Sequence, residues 1–237
     1  MVNIDTVYQR VLALANKEQR GYITPQEFNL FANQVQMDIF EQYFYDTNQF
    51  SRVPGNNTGN SDPIEILNDK IDIFKDSWAA PNNSLAYNYD VPSGYYRVDH
   101  VQLMNHPDGK RREIERISHR ENMLKSTSPL LKATNGRPSY YIKGDTIYVQ
   151  TGDIIPRINV VYVRKPDKVE WTYVVVGEKA LSNPDPTIGY VDFELHASEE
   201  TKLVIKILAL AGVTLKDPSL YQIASAEDNK NIQQEKQ

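Results

Sequence analysis

The chain has 237 residues, 40% hydrophobic and 24% charged, with 31 Asp and Glu against 26 Lys and Arg for a net charge of −5. That balance is ordinary for a globular protein and argues against a general nucleic-acid binder, leaving room for a local basic patch. Without cysteine, disulfides, thiolate metal sites and a Cys nucleophile are excluded.

No apolar run is long enough to suggest a membrane helix, and the acidic, amphipathic N-terminus does not read as a signal peptide. Tyrosine is over-used, 15 against 7 Phe and 2 Trp. Its apolar ring and polar tip suit half-buried sheets and subunit contacts.

In residues 5–15, Val7, Val11 and Leu14 recur at helical spacing, with Tyr8, Leu12 and Ala15 beside them. "NKEQRGYITPQE" (16–27) follows. It has the Gly, Ile and Glu of a twelve-residue calcium loop, but its ligand positions are filled by Asn16, Glu18 and Arg20, and Arg20 places a cation where the ion would sit. The same residues make better sense as a turn between helices. Gly21 ends the first helix, and Thr24, Pro25 and Glu27 start the next as N-cap, first helical residue and capping-box partner.

The second helix carries Phe28, Phe31, Val35 and Ile39 on one stripe, widened by Ala32, Phe40, Tyr43 and Phe44. A polar stretch, "DTNQFSRVPGNNTGNSD" (46–62), separates it from a third helix. Asp62, Pro63 and Glu65 cap that helix, and Ile64, Leu67, Ile71 and Phe74 line it.

The pattern then changes. "YRVDHVQL" (96–103), "REIERI" (112–117), "YYI" (140–142), "TIYVQ" (146–150), "INVVYV" (158–163) and "WTYVVV" (171–176) are short, β-branched or aromatic, and separated by turn residues. They predict an antiparallel sheet domain, with a short helix over 118–126. Helical spacing returns from Ala197, in the lines Leu203, Ile207, Leu210 and Val204, Leu208, Ala211, with Glu199 and Glu200 in the first turn. Another short helix is expected at Asp217–Pro218, before a polar tail. The expected fold is α+β, a helical bundle built from N- and C-terminal helices with an inserted antiparallel β domain. Its parts are 1–80, 84–178 and 190–237.

Catalytic signals are sparse. His100, His106, His119 and His196 form no metal-spaced pair, and no nucleophile elbow, phosphate-binding loop or dinucleotide fingerprint is present. Asp192 and Glu194 are a carboxylate pair of a kind that an acidic chain supplies by chance. No enzyme, cofactor or metal is expected. Lys110, Arg111 and Arg112, after the turn Pro107-Asp108-Gly109, form the one notable basic run, a candidate contact for DNA phosphates or a partner. The apolar surplus on the second helix points to burial on several sides, by its own bundle or by a neighbouring subunit. Candidate interface residues are Phe28, Phe31, Val35, Ile39, Phe40 and Phe44, with Leu220, Tyr221 and Ile223 in the tail.

The runs "YITPQEFNLFANQVQMDIFEQYF", "VPSGYYRVDHVQL", "PSYYIKGDTIYV", "INVVYVRKPDKVEW" and "VDFELHASEETKLVIKILALAGV" together resemble virion structural proteins of crAss-like and related short-tailed phages. In broader outline they are similar to head–tail connector and tail-adaptor proteins, which form a ring beneath the portal. The likeness spans 22–213, and the polar stretch at 47–62 has no obvious counterpart in it. It implies a helical bundle holding a β domain, a terminal segment docked on a neighbour, and a homo-oligomeric ring of about a dozen copies. The implied neighbours are the portal, other tail proteins and the genomic DNA in the channel, with no membrane. The implied location is the virion, assembled in the bacterial cytoplasm. A virion-attached binding module using the Tyr-rich β domain is the alternative.

The capping account predicts that Thr24→Ala costs about 1 kcal/mol. Millimolar calcium, or a chelator, is expected to leave the melting temperature unchanged, and a shift of several degrees would restore the calcium reading.

Overall fold

A computed structural model of the chain describes residues 1–16, 23–52, 62–80, 87–106, 109–152, 156–177 and 179–214, together with 226 and 230. The chain is α+β. It divides into two compact units, one formed by Met1–Ile73 with Pro166–Gln237 and the other by Phe74–Lys165.

The first unit is mainly helical. Helix α1 (Ile4–Asn16) is started by Asn3, whose Oδ1 accepts from Thr6 N–H at 3.0 Å. Ile4, Val7, Tyr8, Val11 and Ala15 are its buried face. Leu14, expected on that face, is 47% exposed, because the stripe turns through Ala15 instead. Helix α2 (Pro25–Arg52) begins at the expected box: Glu27 N–H donates to Thr24 Oγ1 at 3.3 Å, and Thr24 N–H donates to Glu27 Oε2 at 3.0 Å. The bonds that the Glu27 carboxylate accepts from Thr24 N–H and, at 2.7 Å, from the Thr24 hydroxyl hold it below its ordinary pKa. Helix α3 (Asp62–Asp72) lies against α2.

The Phe74–Lys165 unit begins earlier than the sequence suggests. Phe74 is past the end of α3, and Lys75–Ala79 is a strand, β1. It is followed by β2 (Asn88–Asp90), β3 (Tyr95–Leu103), β4 (Arg112–Glu113), β5 (Glu115–Arg116), helix α4 (His119–Thr127), β6 (Ser139–Lys143), β7 (Thr146–Gln150) and β8 (Ile158–Arg164). Two four-stranded sheets form, in the orders β1-β8-β3-β4 and β2-β7-β6-β5. All pairings are antiparallel except β5 with β6, which is parallel, so the expectation of a purely antiparallel domain is corrected there. The tight β6–β7 hairpin needs a left-handed residue, and Gly144 supplies φ +60°.

"REIERI" is two short strands rather than one. Ile114 separates β4 from β5, is buried, and donates its N–H to Val101 O at 2.8 Å. The chain thereby steps from one sheet to the other within a single residue. Val98, Val101, Leu103, Val160 and Tyr162 from the first sheet and Tyr89, Tyr140, Ile147 and Val149 from the second share one core with Ile114. Ser118 and Glu121 form a capping box for α4, which buries none of its residues.

After Lys165 the chain returns to the helical unit. "WTYVVV", expected within the β domain, belongs here. Strand β9 (Tyr173–Val176) pairs only with β10 (Lys179–Ser182) among the described residues, and helix α5 (Glu200–Thr214) packs on α1 and α2. The segment before β9 runs along α2 and is held by three amides one helical turn apart. Asn29 and Trp171 exchange bonds, Trp171 N–H to Oδ1 at 3.0 Å and Nδ2 to Trp171 O at 3.3 Å. Asn33 and Val169 do the same at 3.0 and 2.9 Å. Gln36 Nε2 donates to Asp167 O at 2.7 Å. Alternate residues of this segment thus meet the i, i+4, i+7 positions of a helix, and side-chain amides serve where a neighbouring strand's backbone would.

Trp171 is buried at the centre, 4.0 Å from Tyr8 between ring centroids, with its Nε1–H donating to Asp5 Oδ1 at 2.9 Å. Tyr8 meets Phe28 edge-on at 4.8 Å. The expected helix at Asp217–Pro218 lies outside the described residues.

Asn33→Ala removes both partners of the Val169 peptide, which is part-buried, and is expected to cost about 2 kcal/mol. Gln34→Ala, on the exposed side of the same helix, is expected to change stability by less than about 0.5 kcal/mol. Urea unfolding midpoints of the two variants check the contrast, and equal midpoints would contradict it.

Candidate interaction surfaces

The interface residues expected on α2 separate into two groups. Phe28, Val35, Ile39 and Phe40 are buried within this single chain, so their surface is already covered by the helical unit and they are not open to a neighbour. This corrects their assignment to a subunit contact: α1, α3, α5 and the return segment supply the cover that sequence alone left unassigned. Phe31 and Phe44 are half-buried. Among the side chains of α2 that the structure describes, the large apolar ones it presents are Leu30 and Tyr45. Leu220, Tyr221 and Ile223 lie outside the described residues.

The carboxylate pair is structural. Asp192 Oδ1 accepts from Ile4 N–H at 2.8 Å, and Glu194 Oε2 accepts from Asp167 N–H at 2.9 Å. Each stitches the stretch before α5 to another part of the helical unit. His196 Nδ1 accepts from Ser198 N–H at 3.3 Å, capping the turn that leads into α5. Glu199, expected in the first turn for the helix dipole, is buried and paired with Lys70 at 2.5 Å, and the Lys70 ammonium lies 5.7 Å from the centroid of the Tyr43 ring.

Lys110 and Arg111 are exposed on the connection from β3 to β4, and Arg112 is half-buried, donating to Gly136 O at 3.4 Å. The three therefore share one edge of a sheet without forming a cleft around a ligand. Beside them in sequence is an open depression of about 460 Å³ lined by Asp99, His100, Glu113, Ile114, Glu115, Arg116 and Tyr140. His100 Nδ1 is 3.6 Å from Asp99, which also pairs with Lys75 at 3.7 Å. Burial raises the Tyr140 phenol pKa, Arg116 opposes that, and Glu113 and Asp99 add to it, so the phenol stays protonated at neutral pH. The lining offers a hydrogen-bond donor among mixed charges and no serine, threonine or cysteine hydroxyl or thiol. No group of three His, Asp or Glu among the described residues is placed to hold a metal ion.

Two surfaces that sequence reading passed over are apolar and open. The β9–β10 hairpin exposes Tyr173, Val174, Val175, Val176 and Leu181, with Val175 at 65%. Helix α4 and the turn after it expose Met123, Leu124, Leu130 and Leu131. The signal in the second case was available in "NMLKSTSPLLK", whose apolar residues follow neither a helical nor a strand period.

An exposed basic run without a cleft predicts weak phosphate binding. The isolated chain is expected to retain little or no duplex DNA at physiological salt. Tight retention that falls steeply with salt, and is lost when Lys110, Arg111 and Arg112 are all changed to Ala, would overturn this.

Compared with known proteins, the chain matches no family model, and no curated protein is similar to it in sequence.

Proposed function

We propose that this chain is a non-enzymatic structural component of a tailed-phage virion, a ring subunit of the head–tail connector or tail that extends the DNA exit channel. The helical unit would form the wall, with the β unit inserted between its first and last helices. Portal and tail proteins would be its neighbours. The observation that carries the reading is the β9–β10 hairpin. A two-stranded hairpin is marginal in water by itself, yet this one exposes every residue of Tyr173–Val176 and pairs with no third strand among the described residues. Such a surface suits a subunit that neighbours complete. The resemblance in sequence supports the virion as the place where they do so.

A second reading is a binding module that uses the β unit. It is favoured by an aromatic cluster, in which Tyr141 and Tyr148 stack at 4.9 Å and His119 lies 5.2 Å from Tyr141. Half-buried rings of this kind present a flat face to a ligand.

Copy number separates the two. Quantitative mass spectrometry of purified particles is expected to find about a dozen copies per virion, and electron microscopy a ring on the channel axis. Copies in capsid-like multiples would favour the module. A chain abundant in infected cells but missing from purified particles would end the connector reading.

A further inference from the structure

Charge is divided unevenly along the chain. The β unit, residues 74–165, has 14 Lys and Arg against 9 Asp and Glu, a net charge of +5, which leaves −10 on the helical unit within the chain's −5. Each of these charged fields surrounds exposed apolar groups.

On the β unit, Met123 and Leu124 lie in α4, and Leu130 and Leu131 occupy the turn that follows, with Leu130 92% exposed. The turn is fixed by Leu131 N–H and Lys132 N–H, which donate to Ser128 O at 3.3 and 3.0 Å. Arg120, Lys125 and Lys132 flank the four apolar residues, Lys125 also pairing with Glu115 at 3.3 Å. Glu121 is the only acid from 119 to 132, and its carboxylate is folded back onto Ser118 N–H at 2.7 Å. The result is an apolar knob with a basic rim, the anatomy of a contact patch whose centre excludes water and whose edge selects the partner's charge.

On the helical unit, Leu30, Gln34, Asp38, Glu41 and Tyr45 fall on one stripe of α2 and are all exposed, Leu30 at 71% and Tyr45 at 56%. Helix α2 has no Lys or Arg before Arg52. Alongside it, α3 exposes Glu65, Ile66 and Asp69, and the only base of α3, Lys70, is drawn onto Glu199. This face is the converse of the knob: apolar points set among carboxylates, with no competing cation on either helix over its exposed length.

We propose that the basic-rimmed knob at residues 123–132 of one copy docks on the acidic α2–α3 face of a second copy. The proposal rests on the ring reading and names its contact. The two surfaces differ, so every copy offers one of each and association runs head to tail, the kind of contact from which rings close. Opposite net charges steer the encounter and make it sensitive to salt.

Sedimentation equilibrium of the full chain and of two double variants tests this. One variant is Leu130→Asp with Leu131→Asp, and the other is Asp38→Lys with Glu41→Lys. The unaltered chain is expected to self-associate, more weakly as salt rises. Each variant alone is expected to associate at least about tenfold more weakly. An equimolar mixture is expected to recover a heterodimer of unaltered strength, since one knob and one acidic face remain intact between the two. Melting temperatures within a few degrees of the unaltered chain confirm that these exposed substitutions leave the fold in place. A mixture that fails to recover association overturns the pairing of these two surfaces, and so does an unaltered chain that stays monomeric. Oligomers unaffected by either variant overturn the docking while leaving the ring reading standing. Duplex DNA retained by the unaltered chain and lost in the leucine variant, with no self-association, assigns the knob to nucleic acid instead.

Discussion

The helical unit depends on three amide side chains. Asn29, Asn33 and Gln36 hold an extended segment against α2 by bonding the peptides of Trp171, Val169 and Asp167. Buried backbone groups must find partners, and a strand laid on a helix normally finds none, because the helix's own N–H and C=O groups are already used. Amides solve this because each carries both a donor and an acceptor in peptide-like geometry. With the segment held in place, Trp171 enters the core beside Tyr8, and the rest follows. Glu170 and Val191 bridge, Val2 bridges to Phe193, and α5 is delivered onto α1 and α2.

How much of this can be read in the sequence depends on how far apart the partners are. The start of α2 is legible because Thr24 and Glu27 are three residues apart and their chemistry is specific to a helix start. Strands β6, β7 and β8 are legible from their β-branched and aromatic runs. Strand β1 is not, since "KDSWA" has one large apolar residue and owes its conformation to pairing with β8. Trp171 misleads for a similar reason. It opens a run that reads as one strand, yet its bonds go to Asn29 and Asp5, 142 and 166 residues away.

The apolar surplus of α2 points to burial on several sides, but counting residues cannot distinguish cover supplied by the same chain from cover supplied by another. Phe28, Val35, Ile39 and Phe40 turn out to be covered from within. The surfaces left open are instead Leu30, Tyr45, the β9–β10 hairpin and the α4 knob, where apolar residues break period. A reader of periodicity passes over such residues because periodicity finds what faces inward.

The base of the hairpin has a mechanical consequence. Thr172 and Asn183 close it, Asn183 N–H donating to Thr172 O at 2.9 Å and Thr172 Oγ1–H to Asn183 O at 2.6 Å, and Tyr173 stacks on Trp171 at 5.6 Å. No flexible linker intervenes between the exposed strands and the buried indole. Tension on the hairpin therefore passes straight to Trp171 and along the amide ladder, in shear, loading several hydrogen bonds at once instead of peeling them one by one. A pull at that point is therefore shared between the bonds at the base of the hairpin and those that hold Trp171 in the core.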